Sequence, residues 1–588
     1  MQNITYLLKL IILEFLEIFF LHRYIYQFFI NFSLFRLINY FFNKDCYPFR
    51  DKNTNKFLQN NKFLIKTNNC KNKELILVDL TVGHVPEYNM LNCLIARDLS
   101  SFTSGKCIGL VKKYDFKSKL IAKSFGIENF IYLEKKNFFK KILNFFFSIK
   151  LSKKCNTLKK LLKLEYKGIE VGKSAYEHYT RNLSKQKKFK FNFSLYLCIS
   201  DSIDTVDFFE KLFQKSKFNH CVMGEVQFIP HKLFFHQCLK NKVKVYARHG
   251  ESLHNYHVRI YKNKRYLYSH RGKFSYKLVN YLLKYHRKKL VLLVNKFFKK
   301  NDPIKRIGSE PFINSRGVLV KNKKKTINFN NKKDFDNFFQ FNQARPTFLI
   351  LPNALQDNIF NSEWSSFETP LEWFLDTLKC IDKLNNINWI IKVHPSEKFY
   401  RKELSVTKLF SQFIFKNKNI KFLNNQIYIN DLYKYIDCVV TYNGSCGYQY
   451  PSIGIPAFLV ADSRYFNLKC SFNFKKKSEY FRNLSSFNKN KKLDSEKKFF
   501  AKLFWYLDSP NGPTRMTHGL LPKIKVRKEQ NWNIFWKELY LNNKRFKKNM
   551  NNFTKFFEIQ YKLNNRHPLN FKTLGVKNLS KLVSFNDI

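Results

Sequence analysis

Short apolar runs alternate along most of the chain with longer segments whose apolar residues recur at helical spacing. Four such runs are "ELILVDL" (74–80), "KCIGLVKKY" (106–114), "PTFLILPNA" (346–354) and "WIIKVHPSE" (389–397). Runs of this length, rich in Val, Ile and Leu, are typical of strands buried on both faces. Because these strands alternate with helices, the pattern predicts an α/β fold with parallel sheets.

The alternation occurs twice, and stretches rich in Lys and Asn separate its parts. A chain of 588 residues is long enough for two or three domains at roughly 100–200 residues each. We expect a leader at 1–45, a linker at 46–73, an N-terminal domain at 74–330, a linker at 331–345, a C-terminal domain at 346–525 and a basic tail with helical segments at 526–588.

The leader is strongly apolar, but charged residues interrupt it, and it has no cleavage site of a signal peptide. No charge-free run reaches the roughly 18–20 residues that a membrane-spanning helix needs. Two interpretations remain open for it: an interfacial helix or hairpin, and a helix packed on the body of the protein. The basic, aromatic segment 135–150 has the same two interpretations, because its spacing is that of an amphipathic helix.

Charge and cysteine content narrow the choice of partners and compartment. The formal net charge of +63 invites a nucleic-acid interpretation, but the lysines are scattered and no RNP, KH or zinc-finger pattern is present. We therefore expect no nucleic acid, and favour an anionic membrane surface or a phosphate-bearing substrate. The twelve cysteines include no C-x-x-C pair, which fits a reducing cytoplasm.

Two strands of the C-terminal half end on polar residues. In "WIIKVHP", Pro395 favours an extended backbone at His394 and ends the strand there. Lys392 is two residues earlier and so projects from the same side of the strand. Since ligands of open α/β sheets bind beyond the carboxyl ends of the strands, His394 and Lys392 are candidates for an anion site, although a histidine that only caps the strand is the alternative.

The second polar strand end is "VVTYNGSCGYQYPSIGIP" (439–456), in which a glycine-containing turn opens a helix. Backbone N–H groups at a helix start can bind an anion, and a serine hydroxyl can add a donor. A plain turn with a helix cap is the alternative. The residues that we expect to contact a ligand are Asn443, Gly444, Ser445 and Gly447.

From about residue 75 to 465 the chain resembles the GT-B glycosyltransferases of bacterial capsule and surface-polysaccharide biosynthesis. The stretches that carry the resemblance are "YKGIEVGKSAYEHYTRN" (166–182), "ILPNALQDNIFNSEWSSFETPLEWFLDTL" (350–378), "WIIKVHP" (389–395) and "VVTYNGSCGYQYPSIGIPAFLV" (439–460). The resemblance implies two Rossmann-like domains that face each other across a cleft. It also implies a nucleotide-sugar donor on the C-terminal domain, an acceptor on the N-terminal domain and no metal or other cofactor.

The resemblance bears on individual residues as well. The His-Pro pair and the serine-containing turn are similar to those of enzymes that use CMP-linked sugars, such as bacterial sialyltransferases and Kdo transferases. Many GT-B enzymes carry a ribose-binding Glu seven residues before the Pro of G-x-P, where this chain has Gln449 before Pro456. Gln keeps one acceptor oxygen but loses the charge, which puts donor affinity or identity in doubt. Asp357 matches an Asp of the first donor-domain loop, where it would orient the donor or line the cleft.

A transferase also needs a base that takes the proton from the acceptor hydroxyl. The candidates at N-terminal strand ends are Glu225 and His249, ranked first, followed by His84 and Glu87; a structural role is the alternative for each. The D-F-D of 334–336 resembles a metal-binding D-x-D, but no strand precedes it, so we expect no metal there.

The sequence thus predicts a glycosyltransferase that moves a sugar from a nucleotide-sugar to a surface polysaccharide or lipid-linked acceptor. We expect it in the cytoplasm, at the inner face of the cytoplasmic membrane. The alternatives are a non-hydrolysing nucleotide-sugar 2-epimerase, which shares the fold, and a non-catalytic nucleotide-binding relative.

Overall fold

The structure is a computed structural model, and its elements lie within the following described residues. These are 74–82, 86–112, 115–133, 138–182, 189–224, 226–252, 255–262, 276–304, 307, 325–357, 359–360, 362–394, 397, 400, 402–423, 427–429, 431–487, 493–509 and 543–562. The leader and the linker at 46–73 lie outside them.

The first large sheet has six strands in the order β3-β2-β1-β6-β7-β8. Its strands are β1 (Leu75–Asp79), β2 (Lys106–Lys112), β3 (Asn129–Leu133), β6 (His220–Met223), β7 (Lys244–Ser252) and β8 (Asn255–Tyr261), while β4 (Glu165–Tyr166) and β5 (Ile169–Glu170) form a separate short antiparallel pair. All neighbours in the sheet are parallel except β7 and β8. The sequence pattern did not predict β8.

Helices connect these strands and bury the apolar faces of the sheet. They are α1 (Pro86–Thr103), α2 (Phe116–Ser124), α3 (Phe138–Ser152), α4 (Leu158–Leu162), α5 (Val171–Asn182), α6 (Phe193–Lys215) and α7 (His231–Lys240). The strand β1 is buried from its second residue onward, as a central parallel strand covered on both faces should be.

The second large sheet also has six strands, in the order β12-β11-β10-β14-β15-β16, and all of its neighbours are parallel. Its strands are β10 (Thr347–Ile350), β11 (Asn388–Lys392), β12 (Ile420–Leu423), β14 (Cys438–Thr441), β15 (Ala457–Leu459) and β16 (Phe472–Asn473), while β9 (Lys325–Ile327) and β13 (Ile427–Ile429) pair separately. The remaining helices are α8 (Tyr276–Lys300), α9 (Lys332–Phe339), α10 (Pro370–Ile381), α11 (Val406–Ser411), α12 (Cys446–Ser452), α13 (Lys477–Ser485), α14 (Ser495–Asp508) and α15 (Asn543–Lys562). The prediction of an α/β fold with parallel sheets is confirmed.

Strand order reverses once in each sheet. In the first, the chain builds β1, β2 and β3 outward on one side and then returns to place β6 on the other side of β1. In the second, β14 returns in the same way to the free side of β10. Such a reversal leaves a crevice beyond the carboxyl ends of the two central strands, which is where open α/β sheets bind ligands.

Three segments pack differently from the division that the sequence suggested. Helix α8, which we expected in the N-terminal domain, buries Val279 and Val294 in the core of the second sheet. The expected linker 331–345 contains α9, whose Phe335 is fully buried in the same core.

Helix α15 of the expected tail returns to the first sheet. It buries Phe553 and Phe557 in the core formed by that sheet and α1. Within the described part of the chain, no helix has the length and hydropathy of a membrane span.

Candidate functional site

We call the place where the strand order of a sheet reverses its switch point. In the second sheet the switch point lies between β10 and β14, and two asparagines hold it together. Asn353 follows β10 and Asn443 follows β14, and Asn353 Nδ2 donates to Asn443 Oδ1 at 2.6 Å. Asn443 Nδ2 in turn donates to Ser362 Oγ at 3.0 Å and approaches the Asp462 carbonyl at 3.4 Å. The Asn443 side chain, a predicted ligand contact, is therefore engaged in holding three loops together.

The glycine-containing turn is held from below by buried side chains. Thr441 Oγ1 donates to the Leu351 carbonyl at 2.9 Å and lies 3.3 Å from the Gly444 nitrogen, whose N–H it accepts. Tyr465 Oη donates to the Gly444 carbonyl at 2.5 Å. A Cβ on Gly447 would lie 2.1 Å from Tyr465 Oη, so only glycine allows α12 to sit this close to the tyrosine.

These contacts engage part of the turn that we expected to act as a cradle of backbone N–H groups, and that role stays a prediction. The Gly447 N–H already donates to the Gly444 carbonyl at 3.0 Å, and Gly447 is buried. Helix α12 is seven residues long, and the Ser445 hydroxyl makes no capping bond to it. Ser445 is exposed and Gln449 is half-buried, with Ser445 Oγ 3.5 Å from Gln449 Oε1. These two side chains form the open face of the turn.

His394 and Lys392 stand at the end of β11 as expected. Both are half-buried, whereas Val393 between them is buried, which is the alternation of an extended strand end. Burial lowers the pKa of His394 from 6.5 to about 4, and the carboxylate of Asp357 opposes this shift only in part. The imidazole is therefore neutral at pH 7 and offers a hydrogen bond rather than the positive charge that we considered from the sequence.

The loop after His394 is fixed by a residue whose role the sequence did not predict. The Glu397 N–H donates to the His394 carbonyl at 3.0 Å and closes a turn. The Glu397 carboxylate accepts from the Val406 N–H and, at 2.9 Å, from Thr407 Oγ1 at the start of α11. This cap ties the strand end to the following helix, so the position of His394 is set from both sides.

Asp357 lies where the surroundings of the two sheets touch. We call the parts of the chain built on the first and second sheets the first and second unit. The Asp357 Oδ1 is 3.7 Å from Arg181 Nη1, which belongs to α5 of the first unit. The Arg181 guanidinium also lies 3.8 Å from the ring centroid of Phe228 and 5.9 Å from that of Tyr400. Phe360 packs in the same region, with its ring centroid 6.2 Å from that of Tyr176.

The switch point of the first sheet holds three polar side chains in a row. Asp79 ends β1 and is fully buried, and its Oδ1 accepts from Thr81 Oγ1 at 2.6 Å and from the Thr81 N–H at 3.0 Å. Thr81 Oγ1 is 2.9 Å from Nε2 of His231, the first residue of α7. His231 Nε2 is also 3.8 Å from Asp79 Oδ2. We call these three residues the Asp-Thr-His cluster.

The surroundings of the Asp-Thr-His cluster are polar and well anchored. Asn92 Nδ2 donates to the Asp79 carbonyl at 2.7 Å, and Arg248 Nη2 donates to the Gly224 carbonyl at 2.5 Å. The Arg248 guanidinium stacks 3.4 Å from the ring centroid of Tyr88. Polar groups of β1, β7, α1 and the residue after β6 thus meet at one edge of the sheet.

The bases predicted from the sequence are not placed by the structure. Glu225 and His84 lie outside the described residues, and so do the side chains of His249 in β7 and Glu87 in α1. The sequence analysis overlooked His231. The available signal was its place in the loop-to-helix junction after β6, beside an aspartate that ends the neighbouring strand.

The D-x-D sequence of 334–336 has a structural role in α9. Asp336 is fully buried and its Oδ1 pairs with Lys332 Nζ at 2.6 Å, while the Asp334 N–H is capped by Asn331 Oδ1. Among the residues that the structure describes, no three His, Cys, Asp or Glu side chains form a cluster that could hold a metal ion.

No protein-family model matches the chain, and no curated protein matches its sequence. Among solved structures, the chain is similar to KpsC of Thermosulfurimonas dismutans, a β-Kdo 2,4 transferase, with 11% identity over 49% of this chain and 79% of that one and a TM-score of 0.28. It is also similar to the UDP-GlcNAc 2-epimerase of Methanocaldococcus jannaschii, with 12% identity over 73% and 97% and a TM-score of 0.21. For the wall teichoic acid polymerase TagF the values are 9%, 88%, 97% and 0.20. Because these TM-scores are below 0.5, function is inferred below from the residues alone.

Proposed function

We propose that the protein is a glycosyltransferase that moves a sugar from a nucleotide-sugar donor to a surface polysaccharide or a lipid-linked acceptor. The observation that carries this proposal is the pair of polar strand ends, one at each switch point, with Asp357 and Arg181 in contact between their surroundings. Transfer between two bound substrates needs one surface that holds the nucleotide and another that activates a hydroxyl.

The donor is assigned to the second sheet. Ser445 and Gln449 present a hydroxyl and an amide on the open face of the turn after β14, and His394 and Lys392 lie at the end of β11, on the other side of β10. Ser445, His394 and Lys392 can donate hydrogen bonds to the phosphate of the leaving nucleotide, where charge develops during transfer. The Gln449 amide oxygen can accept from a ribose hydroxyl. The resemblance found in the sequence favours a CMP-linked sugar, and the scheme uses no metal or other cofactor.

The acceptor is assigned to the first sheet and reaches the protein from a membrane. Helix α3 exposes Leu143 and Phe146, at 67% and 62% of their surfaces, beside Lys140 and Lys141. An apolar face flanked by lysines suits the interface of an anionic bilayer. We therefore place the protein peripherally on the inner face of the cytoplasmic membrane.

The donor is identified by thermal shift with CMP, UDP, GDP and dTDP, because a ligand that binds only the native state raises its apparent stability. The sugar derivatives of the nucleotide that binds are then incubated with the full chain, and the products are separated by mass. A transferase releases free nucleotide from its donor. An isomerised nucleotide-sugar without nucleotide release would identify an epimerase, and binding without turnover would identify a non-catalytic relative; both outcomes contradict the proposal.

Membrane association is tested by flotation with anionic and neutral vesicles. The double variant Leu143→Ser with Phe146→Ser should lower partitioning to anionic vesicles by about tenfold or more, since each side chain contributes roughly 2 kcal/mol when buried. Ile414→Ser is the matched control, because Ile414 is 92% exposed on the second unit. High salt should release part of the parent protein. Equal partitioning of parent and double variant would show that α3 does not contact the membrane.

A further inference from the structure

The Asp-Thr-His cluster fixes which nitrogen of His231 carries a proton. The single hydrogen of the Thr81 hydroxyl is donated to Asp79 Oδ1 at 2.6 Å. The Thr81 oxygen can therefore only accept from His231, so the proton of the neutral imidazole is on Nε2, 2.9 Å away. The lone pair is then on Nδ1, which is the atom that can take a proton from a substrate.

Asp79 places a buried carboxylate beside His231. Its carboxylate is fully buried, and Oδ2 has no hydrogen-bond partner within the described part of the chain. That oxygen lies 3.8 Å from His231 Nε2. A buried carboxylate oxygen without a partner is costly, and an imidazolium beside it would compensate for that cost. The cluster is thus arranged to stabilise the charge that appears when His231 accepts a proton.

The loop just before His231 contributes to the contacts that join the two units. Its side chain is 15% exposed, and Phe228, three residues earlier, lies under the guanidinium of Arg181. Arg181 contacts Asp357, and the carboxylate of Asp357 acts on His394 of the second sheet. These contacts link the loop before His231 to the end of β11, where His394 lies.

From these contacts we infer that His231 is the general base of the transfer and that Asp79 and Thr81 are positioning residues. The inference rests on the proposed glycosyltransferase function. The acceptor hydroxyl gives its proton to His231 Nδ1 as its oxygen forms a bond to the anomeric carbon of the donor sugar. The bond from that carbon to the nucleotide phosphate breaks, and its electron pair goes to the phosphate oxygen. The imidazolium then loses the proton to solvent, and the anomeric configuration is inverted.

The test measures nucleotide release by the full chain from CMP-, UDP-, GDP- and dTDP-sugars, with water or a sugar hydroxyl as acceptor. His231→Gln keeps a donor toward Thr81 but has no basic nitrogen, and it should lower kcat by about 100-fold or more. His286→Gln makes the same change in α8, at a residue to which neither proposed binding surface assigns a role, and should leave kcat unchanged. Binding of the free nucleotide, measured by calorimetry, should be the same in all three proteins.

Thr81 provides a second, milder pair of variants. Thr81→Val removes the hydroxyl at constant shape and should lower kcat about tenfold with KM unchanged, because the imidazole loses its orientation. Thr81→Ser restores the hydroxyl and should restore the rate. A purely structural role of Thr81 would change melting temperature in Thr81→Val without this rescue of kcat.

Three results would overturn the inference while leaving the glycosyltransferase proposal intact. They are a His231→Gln variant with more than a third of the parent kcat, loss of nucleotide binding in that variant, and a product that retains the anomeric configuration of the donor. If the parent protein releases no nucleotide from any donor of the panel, the proposed function fails and the inference fails with it.

Discussion

The two switch points have the same place in their sheets but differ in burial and chemistry. At the first, Asp79 is fully buried, and its carboxylate and the Thr81 hydroxyl form a row that ends at His231. At the second, amides and hydroxyls predominate, and Ser445 is exposed to solvent. The first edge has a fully buried carboxylate beside an imidazole, whereas the second combines amides and hydroxyls on an open surface with Lys392 and His394 at the end of β11.

Under the proposed glycosyltransferase function, this difference would let one fold, used twice, supply two parts of one reaction. A buried carboxylate interacts strongly with a nearby imidazole because little water screens it, which suits proton transfer. Neutral hydroxyl and amide donors can be desolvated at lower cost when a nucleotide binds, and this suits ligand recognition. The contact between Arg181 and Asp357 lies where these two surfaces approach each other.

The largest effect that we expect at the second edge is a loss of folding stability as the pH falls. Because the folded-state pKa of His394 is about 4, below the usual 6.5, the unfolded chain binds a proton before the folded protein does. The stability that neutral His394 contributes is complete above pH 6.5 and is lost as the pH falls from 6.5 to 4. At about 1.4 kcal/mol per pKa unit, this loss is at most roughly 3 kcal/mol.

The measurement compares urea unfolding of the parent and His394→Gln at pH 7.5, 5.5 and 4.5. The variant should lose less stability than the parent on going to acid pH, because it has no group to protonate at that site. His236→Gln is the matched comparison on the first unit, since burial also lowers the pKa of His236, to about 3. If the unfolding free energies of the parent and His394→Gln fall equally with pH, folding does not lower the pKa of His394.

The second expected effect is a steric clash in the turn after β14, at the switch point of the second sheet. Gly447→Ala would place a methyl group 2.1 Å from Tyr465 Oη and 2.9 Å from Leu459 Cδ1, so α12 must shift. Overpacking of this kind costs about 1–3 kcal/mol, and the shift should also weaken nucleotide binding at the second edge. Thermal unfolding and nucleotide calorimetry measure the two effects.

Ser445→Ala is the control for Gly447→Ala, because Ser445 is exposed and its truncation introduces no clash. It should leave the melting temperature unchanged and lower affinity only by the loss of one hydroxyl. If Gly447→Ala melts and binds as the parent does, the packing of Tyr465 against the turn is not what fixes the donor edge.

The sequence predicted those elements that depend only on residues close together in the chain. Apolar runs predicted β1, β10, β11 and β14 because a buried parallel strand needs little more than a short, continuous apolar stretch. His394 was expected at a strand end because Pro395 restricts the residue before it. These inferences require no knowledge of which elements meet in space.

Long-range packing explains what the sequence did not reveal. Thr81 and His231 are 150 residues apart, and only the return of β6 to the side of β1 brings them together. Likewise, the amphipathic pattern of α8 shows that one face is buried but not which sheet buries it. The packing of Tyr465 against Gly447 was not predicted either, because Tyr465 follows β15 in the chain and only the tertiary fold brings its hydroxyl to α12.

The smallest expected effect concerns Gln449 at the switch point of the second sheet. Gln449 is half-buried in α12, and its amide oxygen lies 3.5 Å from Ser445 Oγ, at the open face of the turn. If that oxygen accepts from a ribose hydroxyl, Gln449→Glu should preserve or tighten nucleotide binding, since a carboxylate is the stronger acceptor. Gln449→Leu should weaken binding by about 1 kcal/mol, the scale of one neutral hydrogen bond.

Calorimetry with the nucleotide found by thermal shift compares the three proteins, and their melting temperatures should agree because the change affects one side chain at the surface. Equal affinities would show that Gln449 does not touch the ribose, and the donor would then have to be held by Ser445 and the end of β11 alone.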